Sequence, residues 1–286
     1  MSHEIRRGAR PLAARSPDRI AVVAHRGSSE DAPEHTLTAY RKAIEDGADA
    51  LECDVRLTAD GHLVCVHDRR IDRTSDGRGA VSRLELADLA ELDFGSWKVR
   101  RGEARAGEEP GTDAFESPDT ENGPDRTSVL TLDRLLRLVA EAERPVGLAI
   151  ETKHPSRWAG QVEERLLELL SAHRLDSPVR VMSFSTRSLQ RVRLEAPGMP
   201  TVQLMQLLRP RLRDGRLPAG VRIAGPSLRL LRAHPEYVRR AHGAGHEVHV
   251  WTVDAPDDVE WCARLGVDAL ITNRPRRVRE QLAALA

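Results

Sequence analysis

The chain has 286 residues, 40% of them hydrophobic, enough to fill the core of one large α/β domain or two small ones. Lysine plus arginine and aspartate plus glutamate each number 44, so the net charge is zero, and aromatic residues make up only 3%. With no basic stripe interleaved with aromatics, this balance argues against a nucleic-acid-binding protein or a polybasic membrane binder, and favours a small-molecule ligand.

Residues 1–18, "MSHEIRRGARPLAARSPD", read as a loose arginine-rich tail preceding one domain of residues 19–286. The tail has basic residues but no hydrophobic segment or small-residue cleavage site, and no apolar run reaches 18 residues, so a cytoplasmic protein without a stable membrane anchor is expected. The first strand is "IAVVAH" (20–25), followed by an amphipathic helix over 37–46, with Leu37, Tyr40 and Ile44 at helical spacing and Gly47 as its stop. Seven further strand-like runs follow: "DALECDV" (49–55), "VGLAIET" (146–152), "VRVMSF" (179–184), "TVQLM" (201–205), "VRIAG" (221–225), "EVHVWTV" (247–253) and "VDALIT" (267–272). Eight strands alternating with amphipathic segments predict a TIM-type (β/α)₈ barrel, whose functional residues gather at the C-terminal ends of the strands. An open doubly wound sheet would call for a glycine-rich phosphate loop after the first strand, and "HRGSSEDAPE" holds no G-x-G-x-x-G. Residues 69–128 form an insertion after the second strand. Within it, residues 100–127, rich in Gly, Pro and charge, read as a mobile surface loop, a disordered insertion rather than a substrate lid. Cys53, Cys65 and Cys262 are too few and scattered for a disulfide framework or a zinc site, and read as buried hydrophobes.

The stretch "ECDVRLTADGHLVCVHD" (52–68) carries two carboxylates and an imidazole where a strand is usually apolar. Only eight residues separate Asp54 from Leu63, too few for a helical crossover, and Asp60-Gly61 is a two-residue hairpin signal, so the second strand continues into an antiparallel hairpin. With Asp60 and Gly61 as the central turn residues, Asp54 is expected opposite His67. Alternation puts Glu52, Asp54 and Arg56 on one face and Leu51, Cys53, Val55 and Leu57 on the other. The apolar face suits packing on helices; the polar face points to the barrel mouth, where unpaired carboxylates are costly unless they bind a cation. Glu151 and Lys153 share a face at the end of their strand, His25 and Arg26 end the first, and His249 and Trp251 share a face near the end of the seventh. Glu52, Asp54 and Glu151 thus form an all-oxygen ligand set suited to Mg²⁺, Ca²⁺ or Mn²⁺ rather than Zn²⁺.

The run from "AHRGSSEDAPEHT" through "LECDVRLTADGHLVCVHD" to "RTSDGRG", with "IETK", "SFS" and "VWTVD", closely resembles the glycerophosphodiester phosphodiesterase family over about residues 22–275. The resemblance implies a TIM-type barrel with a small insertion after the second strand, and metal-dependent hydrolysis of glycerophosphodiesters to glycerol 3-phosphate and an alcohol. Carried over residue by residue, it implies His25 and His67 as the acid/base pair, Glu52, Asp54 and Glu151 as ligands of a divalent cation, Arg26 and Lys153 as phosphate contacts, and Trp251 as a pocket wall. Three positions depart from the pattern: His35 stands where the "PEN" motif has Asn, Asp254 where "WTVN" has Asn, and Asn273 where "TDxP" has Asp. These departures bear on pocket contacts and substrate preference.

Phosphodiester hydrolysis requires charge neutralisation, which a cation, Arg26 and Lys153 can provide, and proton transfer, which two imidazoles of ordinary pKa ~6.5 can provide near neutral pH. Either water or the substrate's glycerol hydroxyl can be the nucleophile. Competing readings are a phospholipase D-like activity on lysophospholipids, for which residues 100–127 are too polar to supply a membrane-facing loop, and a catalytically silent barrel that binds a phosphorylated ligand, which predicts a missing ligand or histidine. His3, His62, His173, His234, His242 and His246 are expected at the surface, His154 and His249 near the mouth, and His35 close to the site because it replaces a motif residue. A monomer or homodimer is expected.

Overall fold

Aliphatic residues at alternate positions give each strand one face for the barrel interior and one for the surrounding helices. In the computed structural model, which describes residues 17–98, 123–153 and 160–286, these runs become nine strands: β1 Ala21–His25, β2 Ala50–Leu57, β3 Leu63–Cys65, β4 Gly147–Thr152, β5 Val179–Ser183, β6 Thr201–Met205, β7 Ile223–Pro226, β8 Glu247–Trp251 and β9 Ala269–Thr272. Eight are parallel and close into a barrel in the order β1-β9-β8-β7-β6-β5-β4-β2, with β1 paired to β2; β3 is an antiparallel addition on the edge of β2. The fold is therefore the predicted TIM-type barrel, with every barrel strand within two residues of its expected bounds.

The two faces of β2 separate as alternation requires. Leu51, Cys53, Val55 and Leu57 point outward into a core with Tyr40 of the helix Leu37–Glu45 and Leu135 and Leu136 of the helix Leu132–Ala140. Inside the barrel, Val23, Ala50, Ala149, Val202, Ile223 and Ala269 fill the lower layers, and the layer above is shared between polar side chains and Met182, Leu204 and Ile271. The first helix begins where Thr36 Oγ1 accepts the Ala39 N–H at 3.2 Å, and ends before Gly47 at φ +80°. Cys53, Cys65 and Cys262 are all buried.

The hairpin register differs from the expected one. Val55 pairs with Cys65, Arg56 with Val64 and Leu57 with Leu63, which sets Asp54 opposite Val66 instead of His67. The loop holds three residues, Ala59, Asp60 and Gly61, closed by Gly61 N–H to Thr58 O (3.3 Å) and Thr58 N–H to His62 O (2.9 Å), with Gly61 at φ +86°. This three-residue loop with a left-handed third residue is one longer than the two-residue turn that Asp-Gly also serves, so every pairing shifts by one. His67 consequently lies beyond β3, in the following loop.

The described part of the insertion packs on this hairpin through its own cluster of Val64, Val66, Ile71, Val81, Leu89, Phe94 and Val129. Pro124–Thr127, expected to be loop, is a helical turn, and Pro17–Arg19, assigned mostly to the tail, is a 3₁₀ turn leading into β1. The rest of the predicted tail (1–16), residues 100–122 of the predicted loop, and His3 and His154 lie outside the described residues. Among the described residues, no helix is long and apolar enough to cross a membrane.

Candidate active site

The C-terminal ends of β1, β2, β4 and β8 converge on a cavity open to solvent and lined by His25, Arg26, Glu52, His67, Glu151, Lys153 and Trp251. Asp54, the remaining residue singled out from the sequence, is bonded to this group from one side. Ligand atoms of Glu52, Asp54 and Glu151 lie within 4.8 Å of one another, on residues that are 1%, 1% and 7% exposed. Lys153 Nζ sits 2.8 Å from both Asp54 Oδ1 and Glu151 Oε1, and Arg26 Nε lies 3.1 Å from Asp54 Oδ2. Arg26 is held at φ +59°, its backbone N–H donating to Glu52 Oε2 (3.0 Å) and to Glu52 O (3.1 Å).

The electrostatics divide the three acids. Burial works against ionisation of Asp54, yet Lys153, His35 and Arg26 hold its carboxyl well below the usual range. Burial and the Asp54 charge push Glu52 well above that range, and the same two causes raise Glu151 to about 7. Lys153 and Arg26 thus do not supply enough positive charge to keep all three acids ionised, and the Glu52 carboxyl accepts a hydrogen bond from only one donor among the described residues, the Arg26 amide. An all-oxygen donor set in a buried, preformed position, whose acids need further positive charge to ionise together, fits a hard divalent cation of the Mg²⁺, Ca²⁺ or Mn²⁺ type.

The two histidines face the cavity from different supports. His25 Nδ1 contacts Asn273 Oδ1 at 2.8 Å, and burial followed by the Arg26 charge lowers its imidazole to about 3. His67 Nδ1 contacts Asp68 Oδ1 at 2.7 Å, and its backbone carbonyl accepts from Arg56 Nε (3.0 Å) and Nη2 (2.6 Å), which anchors the loop beyond β3 and brings His67 to the mouth despite the shifted register. Burial lowers the His67 imidazole, against the opposing pull of Asp54 and Asp68. Met182, Phe184, Leu204, Trp251 and Ile271 form an apolar wall across the cavity. Phe184 meets Trp251 edge-on with centroids 5.5 Å apart, and Trp251 Nε1 donates to Gly225 O at 2.8 Å, fixing the indole.

Several residues around the site escape a strand-end reading. Glu34 accepts from Arg73 Nη1 (2.8 Å) and Nη2 (2.7 Å) and from Arg26 Nη1 (2.9 Å), while Arg73 Nε donates to Asp68 Oδ2 at 2.5 Å. An alternating chain of charge therefore runs from Asp54 through Arg26, Glu34, Arg73 and Asp68 to His67. His35, buried at φ +62°, places Nε2 2.9 Å from Asp54 Oδ2 and Nδ1 2.9 Å from Tyr40 Oη, so it lies against the site as expected. His249 does not reach the mouth: it sits one inward layer below Trp251, level with Ala269, with Nε2 3.2 Å from Glu247. His173 and His242, expected as surface residues, are partly buried against Asp133 (2.9 Å) and Asp268 (2.8 Å).

Comparison with known proteins bears on this geometry. The model of the glycerophosphoryl diester phosphodiesterase family matches residues 25–277. A probable glycerophosphodiester phosphodiesterase 1 of Mycobacterium tuberculosis is 43% identical over 268 residues, covering 91% of this chain and 92% of that one. The Bacillus subtilis glycerophosphodiester phosphodiesterase is 32% identical over 270 residues, covering 91% and 85%. Among solved structures, an Oleispira antarctica phosphodiesterase in complex with the product sn-glycerol-3-phosphate superposes with a TM-score of 0.76 at 24% identity, over 92% of this chain and 96% of that one. A putative glycerophosphoryl diester phosphodiesterase from Silicibacter pomeroyi gives 0.74 at 25% identity, over 93% of both chains. A barrel with this cavity, matched from His25 to Arg277 by one family model and along nearly its whole length by relatives of that name, belongs to the glycerophosphoryl diester phosphodiesterase family of phosphoric diester hydrolases.

Proposed function

We propose that residues 19–286 form one catalytic domain that hydrolyses glycerophosphodiesters to glycerol 3-phosphate and an alcohol, with a divalent cation on Glu52, Asp54 and Glu151 and with His25 and His67 as the acid/base pair. The observation that carries this reading is the convergence of three buried carboxylates, two cationic side chains and two imidazoles on one cavity, facing an apolar wall. When bound, the cation supplies Lewis-acid neutralisation of the phosphate oxygens. Arg26 and Lys153 add fixed positive charge to the same side of the cavity and orient the phosphodiester. The imidazoles hold or release a proton on the nucleophile and on the departing alcohol as the P–O bond breaks. Trp251 and its wall take the carbon skeleton and exclude water from that side.

The test is glycerol 3-phosphate release from a panel of glycerophosphodiesters with Mg²⁺, Ca²⁺, Mn²⁺ or EDTA. Release is expected with at least one cation and lost with EDTA. Replacing His67→Ala should lower kcat/KM by roughly 10²–10⁴-fold, the contribution of one positioned acid or base. Release that is indifferent to EDTA and to His67→Ala overturns the proposal.

A further inference from the structure

The chain carries Asp254 and Asn273 side by side at the ends of the strands that flank β1 on one side of the mouth. Asp254 follows β8, and Asn273 follows β9 directly. Asp254 Oδ1 accepts from the Asn273 backbone N–H (2.8 Å) and from Thr272 Oγ1 (2.9 Å), while Oδ2 accepts from Asn273 Nδ2 at 2.6 Å. The far side of the same amide, Oδ1, lies 2.8 Å from His25 Nδ1 and 2.7 Å from Ser29 Oγ.

This arrangement has only one consistent assignment. An ionised carboxylate accepts and cannot donate, so the nitrogen of the Asn273 amide must face Asp254; turning the amide over would press two acceptor oxygens together. The oxygen must then face His25, and an amide oxygen only accepts. His25 Nδ1 therefore carries the hydrogen, and in the neutral ring Nε2 keeps its lone pair. No hydrogen bond from the described residues reaches Nε2, on a ring that lines the cavity. Without a carboxylate at 254 the amide would be free to turn: its nitrogen could then donate to Ser29 Oγ and to Nδ1, which would favour the opposite tautomer and leave Nε2 protonated.

We propose that Asp254 is a positioning residue: by fixing the orientation of the Asn273 amide it selects the Nδ1–H tautomer of His25 and leaves Nε2 as the proton acceptor in the cavity. The proposal rests on the reading of His25 as one of the acid/base pair. It extends that reading to a residue that touches neither His25 nor the carboxylate cluster.

The experiment uses the full chain labelled with ¹⁵N-histidine, free of metal, with tautomers read from long-range ¹H–¹⁵N spectra and the His25 signals assigned by their loss in H25Q. Wild type should show His25 protonated at Nδ1. Asp254→Asn keeps its oxygen on the Asn273 backbone N–H and so turns its NH2 toward the Asn273 side chain; this should turn the Asn273 amide over, shift His25 toward the Nε2–H tautomer, and lower kcat roughly 10–100-fold with KM little changed, the range for loss of an outer partner in a site. The reciprocal double variant Asp254→Asn/Asn273→Asp puts the carboxylate next to His25 and a donor behind it, and should restore both the Nδ1–H signature and most of kcat. A His25 tautomer that is the same in wild type and Asp254→Asn overturns the proposal, as does a double variant that folds but recovers neither signature nor turnover. If wild type hydrolyses no glycerophosphodiester while the tautomer still follows position 254, the positioning role stands and it is the reading of the cavity that fails.

Discussion

Replacing Gly27→Ala should damage stability and turnover together. Gly27 follows Arg26 in the turn that carries β1 into the helix Leu37–Glu45, at φ +84°, and a Cβ there would lie 2.6 Å from Ala39 C and 2.7 Å from Ala39 O. Both are backbone atoms of a buried helix whose carbonyl accepts the Ser28 N–H at 2.9 Å, so neither can swing away as a side chain would. A left-handed non-glycine residue costs about 1–3 kcal/mol and overpacking a further ~1–3 kcal/mol. The expected loss is therefore about 2–6 kcal/mol, a large share of the roughly 5–15 kcal/mol that holds a typical domain. Gly47→Ala separates the two contributions, because Gly47 has a similar φ of +80° with nothing within 4 Å of the added carbon. Urea unfolding reads both: with m near ~3 kcal/mol/M, a 3 kcal/mol loss moves the midpoint by about 1 M. Relief of the clash that displaces the turn next to His25 should lower kcat by about 10², as for a misplacement near 1 Å. A Gly27→Ala midpoint no lower than that of Gly47→Ala would refute the contact argument.

Three further outcomes are expected. Glu34→Gln should lower stability near pH 7 by about 1–3 kcal/mol, through lost hydrogen bonds to charged partners. Although burial opposes it, Arg73 and Arg26 hold the Glu34 carboxyl far below the usual range; a depressed carboxyl stabilises above its unfolded pKa near ~4.3 and loses that contribution as pH falls, so the gap between wild type and variant should shrink in urea titrations below about pH 4. A fitting divalent cation at 100-fold its Kd should stabilise the fold by about 2.7 kcal/mol, read as a rise in Tm; a rise that survives in Glu52→Gln/Glu151→Gln would place the ion elsewhere. Arg73→Lys cannot hold both oxygens of Glu34 and Asp68 at once, so kcat should drop roughly 10–100-fold at nearly constant KM, and an unchanged kcat would remove the charge chain from any role in holding His67.

The barrel and the strand-end half of the site were legible because both follow from side-chain alternation. A period of two, broken by acids at Glu52, Asp54 and Glu151, assigns each acid to the inward face without any knowledge of loop geometry, and the structure has all three within 4.8 Å. What alternation could not reach is whatever depends on a loop. Asp60-Gly61 serves two turn lengths equally well, and the choice between them decides whether His67 is opposite Asp54 or past the strand end. Glu34, Asp68 and Arg73 sit in irregular segments with no period to read, and they meet only because long side chains cross between loops. Motif position was the one available signal for such residues. It drew attention to His35, Asp254 and Asn273 as departures, and all three turn out to bond to the site or to each other. The Asp254 and Asn273 departures have a common logic: an acid and an amide stand exchanged relative to the motif pattern, and because one donates where the other only accepts, a hydrogen bond joins them here while the amide oxygen faces His25. Either position read alone looks like a lost residue. Read as a pair, they describe one preserved contact with its polarity reversed, which is why the reciprocal double variant is needed beside the single variant Asp254→Asn.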